Sequence, residues 1–64
     1  MNMLESFKDW IAYRLKLLDL IELKLRRMRR IAIMFRDGKV NARDRKTLEA
    51  EFHRLKDEVS KMDR

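Results

Sequence analysis

The chain has 64 residues, 17 Lys and Arg against 11 Asp and Glu, a formal net charge of +6, one glycine, and neither proline nor cysteine. So short a chain makes one small domain at most and buries little surface per residue; without cysteine it has no disulfide and no Cys–His zinc cluster to hold it. Apolar burial balanced against roughly 1.5 kcal/mol of lost entropy per residue ends near zero for such scaffolds, which leaves oligomerisation or docking on something larger to stabilise the fold.

Residues 3–36 contain no proline or glycine and are rich in Leu, Arg, Lys, Met and Glu, all good helix formers. Leu4, Phe7, Ile11, Leu18, Ile21, Leu25, Met28, Ala32 and Phe35 follow an alternating three- and four-residue spacing, with only Arg14 out of character. That spacing places them on one helical stripe. It predicts a long helix over about 3–36, extending about 50 Å at 1.5 Å per residue. Arg36 suits the last turn, and Gly38 can adopt the left-handed conformation that closes a helix.

A turn at 37–40 is short enough to fold the chain back on itself. Asn41 is a good N-cap, and Asp44 three residues on approximates a capping box while favouring the positive helix end. A short helix over about 42–63 follows, about 30 Å long. Its apolar stripe is Leu48, Phe52, Leu55, Val59 and Met62, and its outer face carries Glu49, Arg54, Lys56, Asp57 and Lys61. The expected fold is therefore all-α: a single antiparallel helical-hairpin domain over residues 1–64.

The two helices are unequal. They can pair from about Leu18 to Phe35, so residues 3–15, with Leu4, Phe7, Trp10, Ile11, Tyr13 and Leu15, should project beyond the second helix. Leu17, Leu20, Leu23, Ile31, Ile33 and Met34 lie off the seam. A helix apolar on so much of its circumference needs more than one neighbour. Two hairpins joined through the long helix into a four-helix bundle would satisfy it, as would a larger helical assembly sharing that helix. The candidate self-association residues are Leu4, Phe7, Trp10, Ile11, Leu18, Ile21 and Leu25.

Charge gathers in the middle. Residues 1–25 are balanced, whereas residues 26–46 hold nine basic side chains against Asp37 and Asp44 alone. Arg26, Arg27, Arg29, Arg30, Arg43, Arg45 and Lys46 are thus candidate contacts for an anion or nucleic acid, by release of counterions from phosphates. A solvated face that keeps an apolar bundle soluble gives the same pattern, and no helix-turn-helix spacing, aromatic base platform or zinc finger accompanies it. Phe7, Trp10 and Ile11 beside Lys8, Arg14 and Lys16 could lie in a membrane surface, but Glu5, Asp9 and Asp19 oppose an acidic bilayer. Packing against another subunit is the better reading, and no apolar run spans a bilayer.

Catalysis finds no support. His53 is the only histidine; Glu49, His53 and Asp57 share a stripe, but no second histidine or cysteine makes a metal site of it. There is no Ser–His or Cys–His pair and no glycine-rich phosphate loop. No cofactor, metal or small-molecule substrate is expected. The N-terminus lacks the form of a cleaved signal peptide, which makes the cytoplasm the default location.

Residues 25–62 read LRRMRRIAIMFRDGKVNARDRKTLEAEFHRLKDEVSKM. This resembles the N-terminal core helical hairpin of bacterial flagellin, whose usual run is close to LQRMRELAVQAANGT followed by DR, LQAEF and EI motifs at the same spacing. Matching positions include Leu25, Arg27, Met28, Arg29, Ala32, Gly38, Asp44, Arg45, Leu48, Ala50, Glu51, Phe52, Leu55, Glu58 and Val59. Arg26, Arg30, Met34 and Phe35 depart from it, and the family's terminal polymerisation helices have no counterpart here. The resemblance implies a structural, self-assembling role, export without a cleaved signal peptide, and receptor-contact positions at Arg27, Ile31 and Glu51. The runner-up is a small basic bundle that binds nucleic acid through residues 26–46; a peripheral membrane helix is third.

Overall fold

A computed structural model of the chain describes residues 2–63. It is an all-α hairpin of two helices: α1, Met3–Arg36, and α2, Ala42–Met62. The molecule is a rod of 56 × 16 × 14 Å. Its length is essentially that of α1, about 50 Å for 34 residues.

Asparagine opens both helices. The Asn2 carboxamide oxygen accepts from the Leu4 N–H at 3.0 Å, and that of Asn41 accepts from the Asp44 N–H at 2.8 Å. Each satisfies one of the amide donors that a helix start leaves without an intrahelical partner. Between the helices, Gly38 sits at φ +65°, where an L side chain is strained and glycine is not. Around it the Lys39 N–H donates to the Met34 carbonyl and the Gly38 N–H to that of Phe35, each at 3.1 Å. This crossed pair is a Schellman closure. It satisfies two end carbonyls of α1 and reverses the chain.

The core is small and sits at the turn end. Ile31 is fully buried, Leu48 and Leu55 are nearly so, and Met28, Met34, Phe35, Val40 and Phe52 pack around them. From residue 2 to residue 16 every side chain is exposed.

The helix boundaries fall within a residue of those expected, but the face of α1 that meets α2 does not. Leu18, Leu25 and Ala32, expected on the seam, are exposed. Leu17 and Lys24 are half-buried and Ile31 buried in their place, beside Ile21, Met28 and Phe35. The contact stripe is turned by about 50°, half of the roughly 100° step between residues of a 3.6-residue helix. The turn has a physical gain. It buries the branched Ile31 instead of the one-carbon side chain of Ala32, and it brings Lys24 and Arg27 to carboxylates on α2.

Candidate functional site

The two sides of the hairpin differ in kind. On one, ion pairs tie the helices together. Arg27 donates to both carboxylate oxygens of Glu51, from Nε at 2.6 Å and from a terminal nitrogen at 3.1 Å; such a fork is stronger and more directional than a single contact. Lys24 Nζ reaches Glu58 at 3.4 Å. The hydrogen bond from Arg27 holds the Glu51 carboxyl below the usual glutamate range against partial desolvation, with the charges of Arg27 and Arg54 adding to the effect. The same bond, and then the carboxylate's charge, raises the Arg27 guanidinium further. Thr47, Ala50, Glu51 and Arg54 line a hollow on this side.

The other side is apolar. An open groove runs between the helices over Ala32, Phe35 and Phe52, edged by Arg45, Glu49 and His53. The Arg45 guanidinium stands 5.9 Å from the Phe35 ring centre, within cation–π range. The His53 ring meets Phe52 edge-on. Towards the N-terminus the groove gives way to bare helix. Leu4, Phe7, Trp10, Ile11, Leu18 and Leu25 are each between 38% and 59% exposed. Phe7 and Trp10 stack at 6.4 Å with their planes 20° apart, a flat aromatic patch facing solvent. Leu4, Ile11, Leu18, Leu25 and Ala32 recur every seventh residue, the period of a coiled-coil seam.

Of the candidate self-association residues, six therefore lie open, while Ile21 is half-buried against α2. The basic cluster divides in a similar way. Arg27 is engaged by Glu51, Arg26 pairs with Glu22 at 2.7 Å, and Arg45 approaches Glu49 at 4.0 Å. Arg29, Arg30, Arg43 and Lys46 are exposed and form no ion pair among the described residues. The three flagellin-type receptor positions are not a common surface: Ile31 is wholly buried, and Arg27 and Glu51 are spent on each other. Among the described residues no group of three His, Cys, Asp or Glu gathers for a metal, and no helix is long and apolar enough to cross a membrane.

The clasp of Arg27 with Glu51 and the contact of Lys24 with Glu58 escaped the reading of apolar periodicity. A signal was present. Each pair is opposite in charge and nearly symmetric about the turn, which is where an antiparallel hairpin places facing residues. Comparison of the chain with protein-family models, with curated proteins and with solved structures finds no match.

Proposed function

We propose that this chain is a non-enzymatic structural and protein-interaction element, a helical hairpin that self-associates through α1 in a flagellin-like manner. One observation carries the reading: six large apolar side chains on a single helix, among them a stacked Phe and Trp, stay between 38% and 59% exposed. Monomeric soluble proteins rarely leave contiguous apolar patches beyond a few hundred Å². The seven-residue repeat within the patch is the pattern that supplies knobs to a facing helix.

Magnitudes set the strength. Burying such a side chain completely is worth about 1.5–3 kcal/mol. Six half-exposed ones on each of two copies therefore supply on the order of 10 kcal/mol, similar to the roughly 4–15 kcal/mol that association costs. The pairing is reversible and depends on concentration. Sedimentation equilibrium from micromolar to millimolar protein tests it: the wild-type chain forms dimers or larger species, and Phe7→Asp or Leu18→Asp returns it to monomer with helicity retained. Wild-type chain that stays monomeric throughout would defeat the proposal.

The exposed and unpaired Arg29, Arg30, Arg43 and Lys46 favour a second reading, contact with nucleic acid at the turn end. Four phosphate contacts give a log–log salt dependence with a slope of about −3.6. Retention on a DNA column with that slope, abolished when the four residues are changed to Ala, supports it. Elution at low salt excludes it.

A further inference from the structure

We infer that two copies pair antiparallel, the N-terminal half of each α1 lying in the groove beside Ala32, Phe35 and Phe52 of the other. This arrangement rests on the proposed self-association through α1 and specifies its geometry. Four observations converge on it.

The first is continuity. At about 100° per residue, Phe7, Ile11, Leu18 and Leu25 all fall within about 60° of Ala32 around the axis of α1. Ala32 lines the groove, so groove and bare stripe form one apolar side of the rod. The ionic clasps occupy the opposite side.

The second is shape. In the series Leu4, Ile11, Leu18, Leu25, Ala32 the small residue stands at one end, next to the groove, and the stacked Phe7 and Trp10 stand at the other. With Leu18 on the two-fold axis, an antiparallel pair sets Leu4 against Ala32 and Ile11 against Leu25. Helical side chains lean towards their own N-terminus, so Phe7 of each copy leans into the groove of its partner. A parallel pair would set Ala32 against Ala32 and crowd aromatic against aromatic, leaving both grooves empty.

The third is charge. Residues 26–46 of each copy carry nine basic side chains and two acidic ones, while residues 1–25 are balanced. Parallel pairing holds the two basic turn ends within about 20 Å of each other, and antiparallel pairing separates them by about 50 Å along the helix. The screening length at physiological salt is about 8 Å. Mutual repulsion of the two ends is therefore felt in the first arrangement and screened out in the second.

The fourth is coverage. The side chains from residue 2 to residue 16 are all exposed in one hairpin, and α2 ends before reaching them. Laid in the partner's groove, this segment becomes the third helix of a bundle with the partner's α1 and α2. The same happens at the other end by symmetry, and the assembly closes as a two-fold dimer.

The experiment is a distance between turns. The chain has no cysteine, so Lys39→Cys accepts a single spin label at the exposed turn, and pulsed dipolar spectroscopy reads the separation between copies. With Leu18 on the two-fold axis, antiparallel pairing gives one population at about 55–60 Å. Sedimentation of the labelled chain as a dimer with a separation of about 20 Å overturns the orientation while leaving self-association intact. A monomer removes the proposed function itself. Ala32→Lys checks the groove: Ala32 is exposed in the single hairpin, so helicity and thermal stability of the monomer should hold. The dimer dissociation constant should rise at least tenfold, and an unchanged constant rules the groove out as the docking site.

Discussion

The two halves of α1 share one helical backbone and an apolar stripe, yet they have different fates. From Leu17 to Phe35 the helix leans on α2, and its buried centre is Ile31. From Met3 to Lys16 every side chain is exposed, and Leu4, Phe7, Trp10 and Tyr13 each keep more than half of their surface accessible. What decides their cover is how far the returning helix reaches: 21 residues against 34. An apolar periodicity states that a face wants cover; it does not state who provides it. In the turn-end half the chain provides its own cover. In the N-terminal half the chain provides none, and the proposed self-association is what would supply it.

The contrast breaks most visibly at Ile31. Ile31→Ala leaves a cavity at the one fully buried position among the described residues and should cost about 2–5 kcal/mol, lowering the thermal midpoint followed by circular dichroism. Ile11→Ala, the same change in the bare half, should leave the monomer's midpoint nearly unmoved and weaken association instead. Equal effects of the two changes on the monomer would erase the distinction between the halves.

Gly38→Ala acts on the turn that creates the covered half. Nothing lies within 4 Å of an added Cβ, so the penalty is conformational alone, about 1–2 kcal/mol for an L residue held in the left-handed region. The same thermal melt measures it. The caps sharpen the comparison further. Asn41→Ala should destabilise the hairpin by about 1 kcal/mol, because α2 cannot start correctly without disturbing the core. Asn2→Ala should only fray the first turn of α1 in the monomer, visible as faster amide exchange there and not as a lower midpoint.

The smallest effect concerns pH. Glu51 has its carboxyl pKa lowered in the fold by the hydrogen bond from Arg27. The stabilisation is therefore complete above the unfolded glutamate value, about 4.3, and is lost as pH falls through the lowered folded value. Acid titration of the thermal midpoint should show a decline below about pH 4.3 that is shallower in Glu51→Gln. Because the clasp is partly exposed to solvent, the difference is modest.

Much of the architecture was legible because local chemistry encodes it. Gly38 and Asn41 mark the end of one helix and the start of the next, and both act as their residue types suggest. The length mismatch followed from these boundaries. The rotation of α1 about its axis did not. Ile31 and Ala32 belong to adjacent stripes, both apolar, and period alone gives no means of choosing between them. The choice lies in long-range terms, namely the greater bulk of Ile31 and the reach of Lys24 and Arg27 to Glu58 and Glu51. That rotation leaves Leu18, Leu25 and Ala32 on the open side. Leu18 and Leu25, which periodicity placed on the stripe and which were also candidate self-association residues, thus stay exposed beside Ala32 and belong to the surface proposed for a second copy. Arg27 moved the opposite way, from the candidate anion site into a structural clasp.

Whether the uncovered half finds cover in solution is read most directly by sedimentation equilibrium of the wild-type chain as concentration is raised. Self-association through α1 predicts a mass rising from one chain towards two or more, and a return to one chain in Phe7→Asp. A single-chain mass across the whole range, with full helicity and the Trp10 fluorescence of a water-exposed indole, would contradict it.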